Sequence, residues 1–288
     1  MSGAIAGQGG GPASATPSTG LNPMFPPTLR LSPDGLIATA PVLSGIPWLR
    51  HGITTRRFGT RDDDRVEELG RLRSRIVSSI VPLFHADQRH TAAVSVVDRE
   101  ALARAAASPD RRVVFPPSDA VVSPGPGVAL AVFTADCVPL FLVDLRRRAI
   151  GMAHAGWRGT FDGIAGAAVG AMLGQGSRAE DLLAWIGPAA GVCCYEVDGE
   201  LADRFDGCFN DATAEGVGFR RGRHIDLESL NAWQLERAGL APAAIHRSGV
   251  CTICRSDLFY SYRADGGPTG RIISMMASLE DAPHPVVV

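Results

Sequence analysis

Between Gly127 and Gly159 the chain runs G-V-A-L-A-V-F-T-A-D-C-V-P-L-F-L-V-D-L-R-R-R-A-I-G-M-A-H-A-G-W-R-G, and this stretch constrains the fold more than any other. Three apolar runs of strand length (127–134, 138–144 and 149–155) are rich in Val, Ile and Phe and are separated by breakers. The basic cluster Arg146-Arg147-Arg148 suits a tight turn, so the second and third runs are expected to form an antiparallel hairpin. A turn centred on Arg147 sets His154 opposite Leu140. Cys137 and His154 then share the open end of the hairpin, and a register shift of two residues does not separate them. Whether they share a face stays open, because Pro139 disturbs the alternation. A soft sulfur and an imidazole at a strand-end loop suit either a nucleophile–base pair or two ligands of a zinc ion. Gly156-Trp157-Arg158-Gly159 follows, then a helical run over residues 160–173. The free N–H groups at its start and the charge of Arg158 suit a phosphate.

The 288 residues, 45% hydrophobic and 20% charged, are enough for a sizeable core. A net charge of −2 gives no broad basic excess, which argues against a nucleic-acid or membrane-surface partner. No apolar run approaches the ~20 residues of a membrane helix, and no signal-peptide core lies near Met1. The cysteines at 137, 193, 194, 208, 251 and 254 lack the spacing of a small secreted scaffold, so reduced thiols and a cytoplasmic setting are expected.

Residues 1–28, rich in Gly, Ala, Ser, Pro and Thr without an acidic residue, read as a disordered tail, with one domain expected over 29–288. A strand is expected within 40–53. Apolar residues at 66, 69, 72, 76, 80 and 83 have helical spacing over 62–84. Further strands are expected at 92–97, from 119, at 181–186, 220–224 and 244–251, and after Arg271. Helices are expected at 198–205 and, N-capped by Asp226, at 227–238. Strands and helices mix without strict alternation, which favours an α+β fold with mixed sheets.

Thr134-Ala-Asp136-Cys137-Val-Pro139, His154-Ala-Gly-Trp157-Arg158-Gly159, Gly187-Pro188, Tyr195-Glu196-Val197, Cys251-Thr252 and Tyr262-Arg263 with Thr269-Gly270-Arg271 resemble the "multicopper polyphenol oxidase", or laccase-domain, family. Its members are now regarded as purine nucleoside phosphorylases. The resemblance covers about residues 45 to 277. It implies an α+β sandwich shared with a bacterial toxin's cysteine-hydrolase-like catalytic domain. It also implies a metal, usually zinc, held by His90 (from Gln88-Arg-His90), Cys137 and His154. The implied reactions are phosphorolysis of adenosine, inosine, guanosine and methylthioadenosine, and deamination of adenosine. The implied partners are a purine nucleoside and phosphate, with the protein a monomer or weak homo-oligomer. Two departures fall on the rim of the implied site. The family's T-T-R-x-G-G is here Thr55-Arg56-Arg57-Phe58-Gly59, one glycine short, and an Asn expected in the next helix is missing between Arg61 and Leu83.

Three protein ligands with one open position are the pattern of a catalytic zinc. Asp136 is either a hydrogen-bond acceptor for a ligand histidine or a turn-capping residue. Arg56, Arg158, Arg263 and Arg271 are candidates for phosphate contacts. His51 ends a strand near Arg56, and its structural reading is the stronger; His85, His246 and His284 lie in no motif. Cys251-x-x-Cys254 with Cys193 and Cys194 can in principle form a four-cysteine zinc site, but the adjacency of Cys193 and Cys194 argues against it. Copper is a weaker alternative to zinc. Seven histidines without a single H-x-H argue against a multicopper oxidase acting on phenolics. The usual zinc-deaminase signature is absent as well. The competing readings are a metal-free thiol hydrolase, with Cys137 as nucleophile and His154 as its base on peptide-like cell-wall material, and a non-catalytic binding protein.

Overall fold

The computed structural model describes residues 28–60 and 65–280. Residues 1–27 of the tail expected over 1–28, Asp62 and His284 lie outside them. The architecture is α+β with two large mixed sheets and a two-stranded ribbon, Arg220–Arg221 with His224–Ile225. The seven-stranded sheet runs, edge to edge, through Arg30–Leu31, Ile37–Thr39, Leu49–Thr54, Ile272–Ser278, Val128–Thr134, Leu83–Ala86 and Arg112–Phe115. The six-stranded sheet runs through Ile245–Arg247, Leu182–Ile186, Val138–Asp144, Ile150–Ala155, Ala120–Ser123 and Val94–Val96.

Alternation along the central strands builds four layers. Leu130 and Val132 from one sheet meet Phe141, Val143, Ile150 and Met152 from the other in a shared core. Ala129, Ala131 and Phe133 face the opposite way, toward Leu69 and Leu72 of the helix Arg65–Ile76. Leu140, Leu142 and Ala153 face the helices Ile164–Gly174, Gly199–Cys208 and Leu227–Arg237. Each central strand is therefore buried on both faces, which is why the sequence shows apolar runs there instead of a polar–apolar alternation.

The central hairpin forms as expected, one residue out of the anticipated register: His154 pairs with Pro139, and Ala153 with Leu140. The turn is set by Asp144. Its Oδ1 accepts the N–H groups of Arg146 (2.9 Å) and Arg147 (2.8 Å), and Arg148 closes the turn with a left-handed φ of 57°.

The strand expected within 40–53 forms as Leu49–Thr54, after a short helix, Pro41–Ser44, with Pro41 preset for the first turn. Three expected elements differ. The strand over 220–224 is a tight hairpin, Arg220–Arg221 paired with His224–Ile225. The helix over 62–84 stops at Ile76. Pro82 cannot continue it, and Leu83–Ala86 becomes a strand parallel to Arg112–Phe115. The helix over 160–173 is two pieces, Trp157–Phe161 and Ile164–Gly174, broken where Gly163 adopts a φ of 83°. Among the described residues no helix is long and apolar enough to cross a membrane.

Candidate active site

Three strand ends converge on one cavity of about 1040 Å³. Leu83–Ala86 delivers the loop carrying Gln88 and His90, Val128–Thr134 delivers Asp136 and Cys137, and Ile150–Ala155 delivers His154. Gln88 shows how the first loop is fixed. Its side-chain amide donates to the Phe133 carbonyl (2.8 Å) and its Oε1 accepts from the Phe133 N–H (2.8 Å). The side chain thus stands in for a neighbouring strand's backbone. Two residues on, His90 turns inward with a φ of 62°.

The Sγ of Cys137 lies 4.0 Å from His90 Nε2, and His90 stacks edge-on against His154 with ring centroids 4.8 Å apart. One donor atom from each of His90, Cys137 and His154 falls within 4.8 Å of the others. Gly156 leaves the space they occupy: a Cβ there would sit 2.7 Å from His90 Cδ2 and 3.1 Å from Cys137 Sγ.

The residue that organises this group escaped the sequence reading. Asp119 Oδ1 is 2.7 Å from Nδ1 of the buried His154. Its Oδ2 accepts the N–H of Arg89 (3.0 Å), the N–H of Thr91 (2.7 Å) and the Thr91 hydroxyl (3.0 Å). One carboxylate therefore holds the chain on both sides of His90 and also fixes the ring of His154. The only sequence signal was its place directly before the strand Ala120–Ser123. Because Ala120 pairs with Ala153, the next position along sets Asp119 beside His154. With Nδ1–H donating to Asp119, His154 presents Nε2 toward Cys137.

Electrostatics follow from this packing. Burial pushes the Cys137 thiol up, but the imidazoles of His154 and then His90 outweigh it and bring the thiol down to about 6. Burial disfavours the His154 imidazolium, yet Cys137 and Asp119 raise its pKa to about 9. Burial raises Asp119 as well, and hydrogen bonds from His154 and Thr91 hold it well below the usual carboxylate range. The site favours a thiolate, the form required of both a metal ligand and a nucleophile. Two imidazoles and a thiolate, with one imidazole oriented by a carboxylate, suit zinc or copper, and three donors leave a position open. The donor set therefore fits a metal ion.

Asp136 is not an acceptor for a ligand histidine. Its Oδ1 takes the Thr252 hydroxyl (2.6 Å) and its Oδ2 the Arg263 N–H (2.8 Å). It ties two loops of the cavity wall together from a left-handed φ of 85°. Arg158, Arg263 and Arg271 line the cavity. Arg158 lies over the Trp157 ring at 4.2 Å, and Arg263 over the Tyr195 ring at 5.1 Å while donating to the Glu196 carbonyl (2.8 Å). Arg56 stands off the cavity lining, bidentate to Asp265 (2.6 and 2.8 Å). Arg57 is directed toward Gly35 and is also absent from the lining. His51 is buried, its Nε2 accepting from the Ala40 N–H at 2.8 Å. His85, which no motif marked, lines the cavity with its ring 5.5 Å from that of Phe133. Tyr262, half exposed at the same wall, offers an open aromatic ring.

The model of the multi-copper polyphenol oxidoreductase laccase family matches residues 53–278. A purine nucleoside phosphorylase of Xylella fastidiosa (strain 9a5c) is 37% identical over 197 residues, 68% of this chain and 73% of that protein. Adenosine deaminase RL5, from an unknown prokaryotic organism, is 34% identical over 187 residues, 64% of this chain and 70% of that protein. The crystal structure of the hypothetical protein YfiH of Bacillus licheniformis superposes with a TM-score of 0.75 at 27% identity, covering 88% of this chain and 99% of that one.

Proposed function

Because the chain belongs to the multi-copper polyphenol oxidoreductase laccase family, we propose that it is a purine nucleoside phosphorylase that also deaminates adenosine, with a zinc ion held by His90, Cys137 and His154. The observation that carries this reading is the joining of that donor set, braced by Asp119, to a cavity whose wall carries Arg158, Arg263 and Arg271. Relatives of this chain bear both activities in their names.

In phosphorolysis a phosphate oxygen forms a bond to C1′ of the ribose as the bond to the purine nitrogen breaks. The base leaves with the electron pair and takes up a proton. In deamination water replaces the amino group at C6 and ammonia leaves. The chain's own residues position both reactants. Arg158, Arg263 and Arg271 supply fixed charge for the phosphate. The exposed ring of Tyr262 offers an apolar face for the purine. Asp119 keeps the His154 proton on Nδ1, so Nε2 is available to the metal. When bound, such an ion supplies Lewis acidity on the cavity wall. The free cysteines support a cytoplasmic setting.

The test is phosphate dependence. Inosine incubated with the protein should release hypoxanthine only when inorganic phosphate is present, with ribose 1-phosphate in equal amount. Release without phosphate contradicts the phosphorylase reading.

One observation favours a second reading. Asp119, His154 and Cys137 also form the chain of contacts of a carboxylate–imidazole–thiolate hydrolase. Covalent trapping of Cys137 by an amide-like electrophile in metal-free protein, with turnover of a peptide amide, would move the assignment there.

A further inference from the structure

Two loops bring a second set of soft donors together, away from the group just described. Cys193 and Cys194 follow the strand Leu182–Ile186, and Cys251 and Cys254 lie some 60 residues on. Cys254 Sγ is 3.5 Å from Cys193 Sγ and 3.3 Å from Cys194 Sγ. All four sulfurs lie within 4.8 Å of one another. A tetrahedron with zinc–sulfur bonds of about 2.3 Å has sulfur–sulfur edges of about 3.8 Å. These two approaches fall a few tenths of an ångström inside that edge, no pair exceeds 4.8 Å, and all four cysteines are free thiols.

The backbone is arranged to receive sulfur carrying charge. The Gly191 N–H donates to Cys251 Sγ at 3.3 Å, and the Cys254 N–H is also directed at Cys251. Gly191 lets the two loops approach closely: a Cβ there would crowd Cys251 Cβ at 3.2 Å and Cys193 Sγ at 3.3 Å. The two loops are already in register through the Ala189–Cys251 bridge, with Thr252 N–H donating to the Ala189 carbonyl at 2.9 Å. The objection from sequence, that Cys193 and Cys194 are neighbours, is met by the tight turn in which the Cys194 N–H donates to the Gly191 carbonyl (2.9 Å).

We infer that Cys193, Cys194, Cys251 and Cys254 form a tetrathiolate zinc site, separate from the His90, Cys137 and His154 group, that clasps two loops of the cavity wall. Four thiolates with no open position make a structural site. Its neighbours say what it steadies: Tyr195, next to Cys194, lines the cavity, and Thr252, next to Cys251, holds Asp136.

The test is metal content of the full chain purified under reducing conditions with zinc supplied. The wild type should carry about two equivalents of zinc. Cys137→Ala, which removes the sulfur of the other group, should retain about one, and adding Cys251→Ser with Cys254→Ser should remove it. Because the triple variant can fail to fold, the Cys137→Ala protein is also loaded with cobalt. Intense visible bands of tetrahedral cobalt, with thiolate-to-cobalt charge transfer in the near ultraviolet, support the site. A Cys137→Ala protein that binds no zinc and shows no such bands overturns it, as does zinc content unchanged by the two serine substitutions.

Discussion

Asp119 and His154 are joined twice: side chain to side chain at 2.7 Å, and by the His154 backbone N–H donating to the Asp119 carbonyl, also at 2.7 Å. The same carboxylate holds Arg89 and Thr91 on either side of His90. Two of the three metal-ligand candidates thus take their position from a residue that coordinates nothing itself. Asp119→Ala should weaken zinc binding at this group by about 10–100-fold. Chelator competition, performed with the four-cysteine group intact in both proteins, measures it. Unchanged affinity at the His90 group contradicts the positioning role.

Gly156 is the steric counterpart of that anchor. Gly156→Ala places a methyl where His90 and Cys137 meet. It should abolish nucleoside turnover and strip metal from this group, while unfolding stability falls by no more than the ~1–3 kcal/mol typical of local overpacking. Parallel turnover and urea-unfolding measurements check this. Full activity in the variant contradicts the observed packing.

The arginines divide by location. Arg158→Ala should raise the KM for phosphate about tenfold or more while leaving the KM for nucleoside less affected, since it removes a charge from the cavity wall. Arg56 is spent on Asp265. Arg56→Ala should leave the phosphate KM within about twofold and act mainly on stability, by about 1 kcal/mol or less for this partly exposed pair. Initial rates at varied phosphate separate the two.

His51 predicts a pH dependence of stability independent of the site. Burial lowers its pKa from 6.5 to about 4. Between those values the unfolded chain binds the proton and the folded chain does not, so stability rises with pH across this window. The contribution is complete above pH 6.5, falls as pH drops toward about 4, and is then flat; it is on the order of 3 kcal/mol. His51→Gln, which keeps an acceptor for Ala40, should flatten this part of the curve. Identical curves for the two proteins contradict it.

How much of this was legible in the sequence depends on how local the signal is. Length, apolar content and breakers marked the strands at 128–134, 138–144 and 150–155, and so the shared end of Cys137 and His154. Register slipped by one residue because the turn is set by the Asp144 side chain and the left-handed Arg148, which the charge cluster does not reveal. Helical spacing across 66–83 misled because apolar residues past Pro82 serve a strand. Asp119 was hidden since its partner is 35 residues away and reached only through strand pairing. The four thiols are visible as a group in the sequence but are discounted there for a similar reason. Cys193 and Cys194 lack a ligand spacing of their own and acquire one only when Cys251 and Cys254 pack beside them.

Turnover of adenosine with inorganic phosphate, compared between the zinc-loaded wild type and Cys137→Ala, decides whether this site carries the reaction. The wild type should yield adenine and ribose 1-phosphate, accompanied by inosine, with all three products lost in the variant. No purine product from wild-type protein that holds zinc at His90, Cys137 and His154, or undiminished turnover in Cys137→Ala, would contradict it.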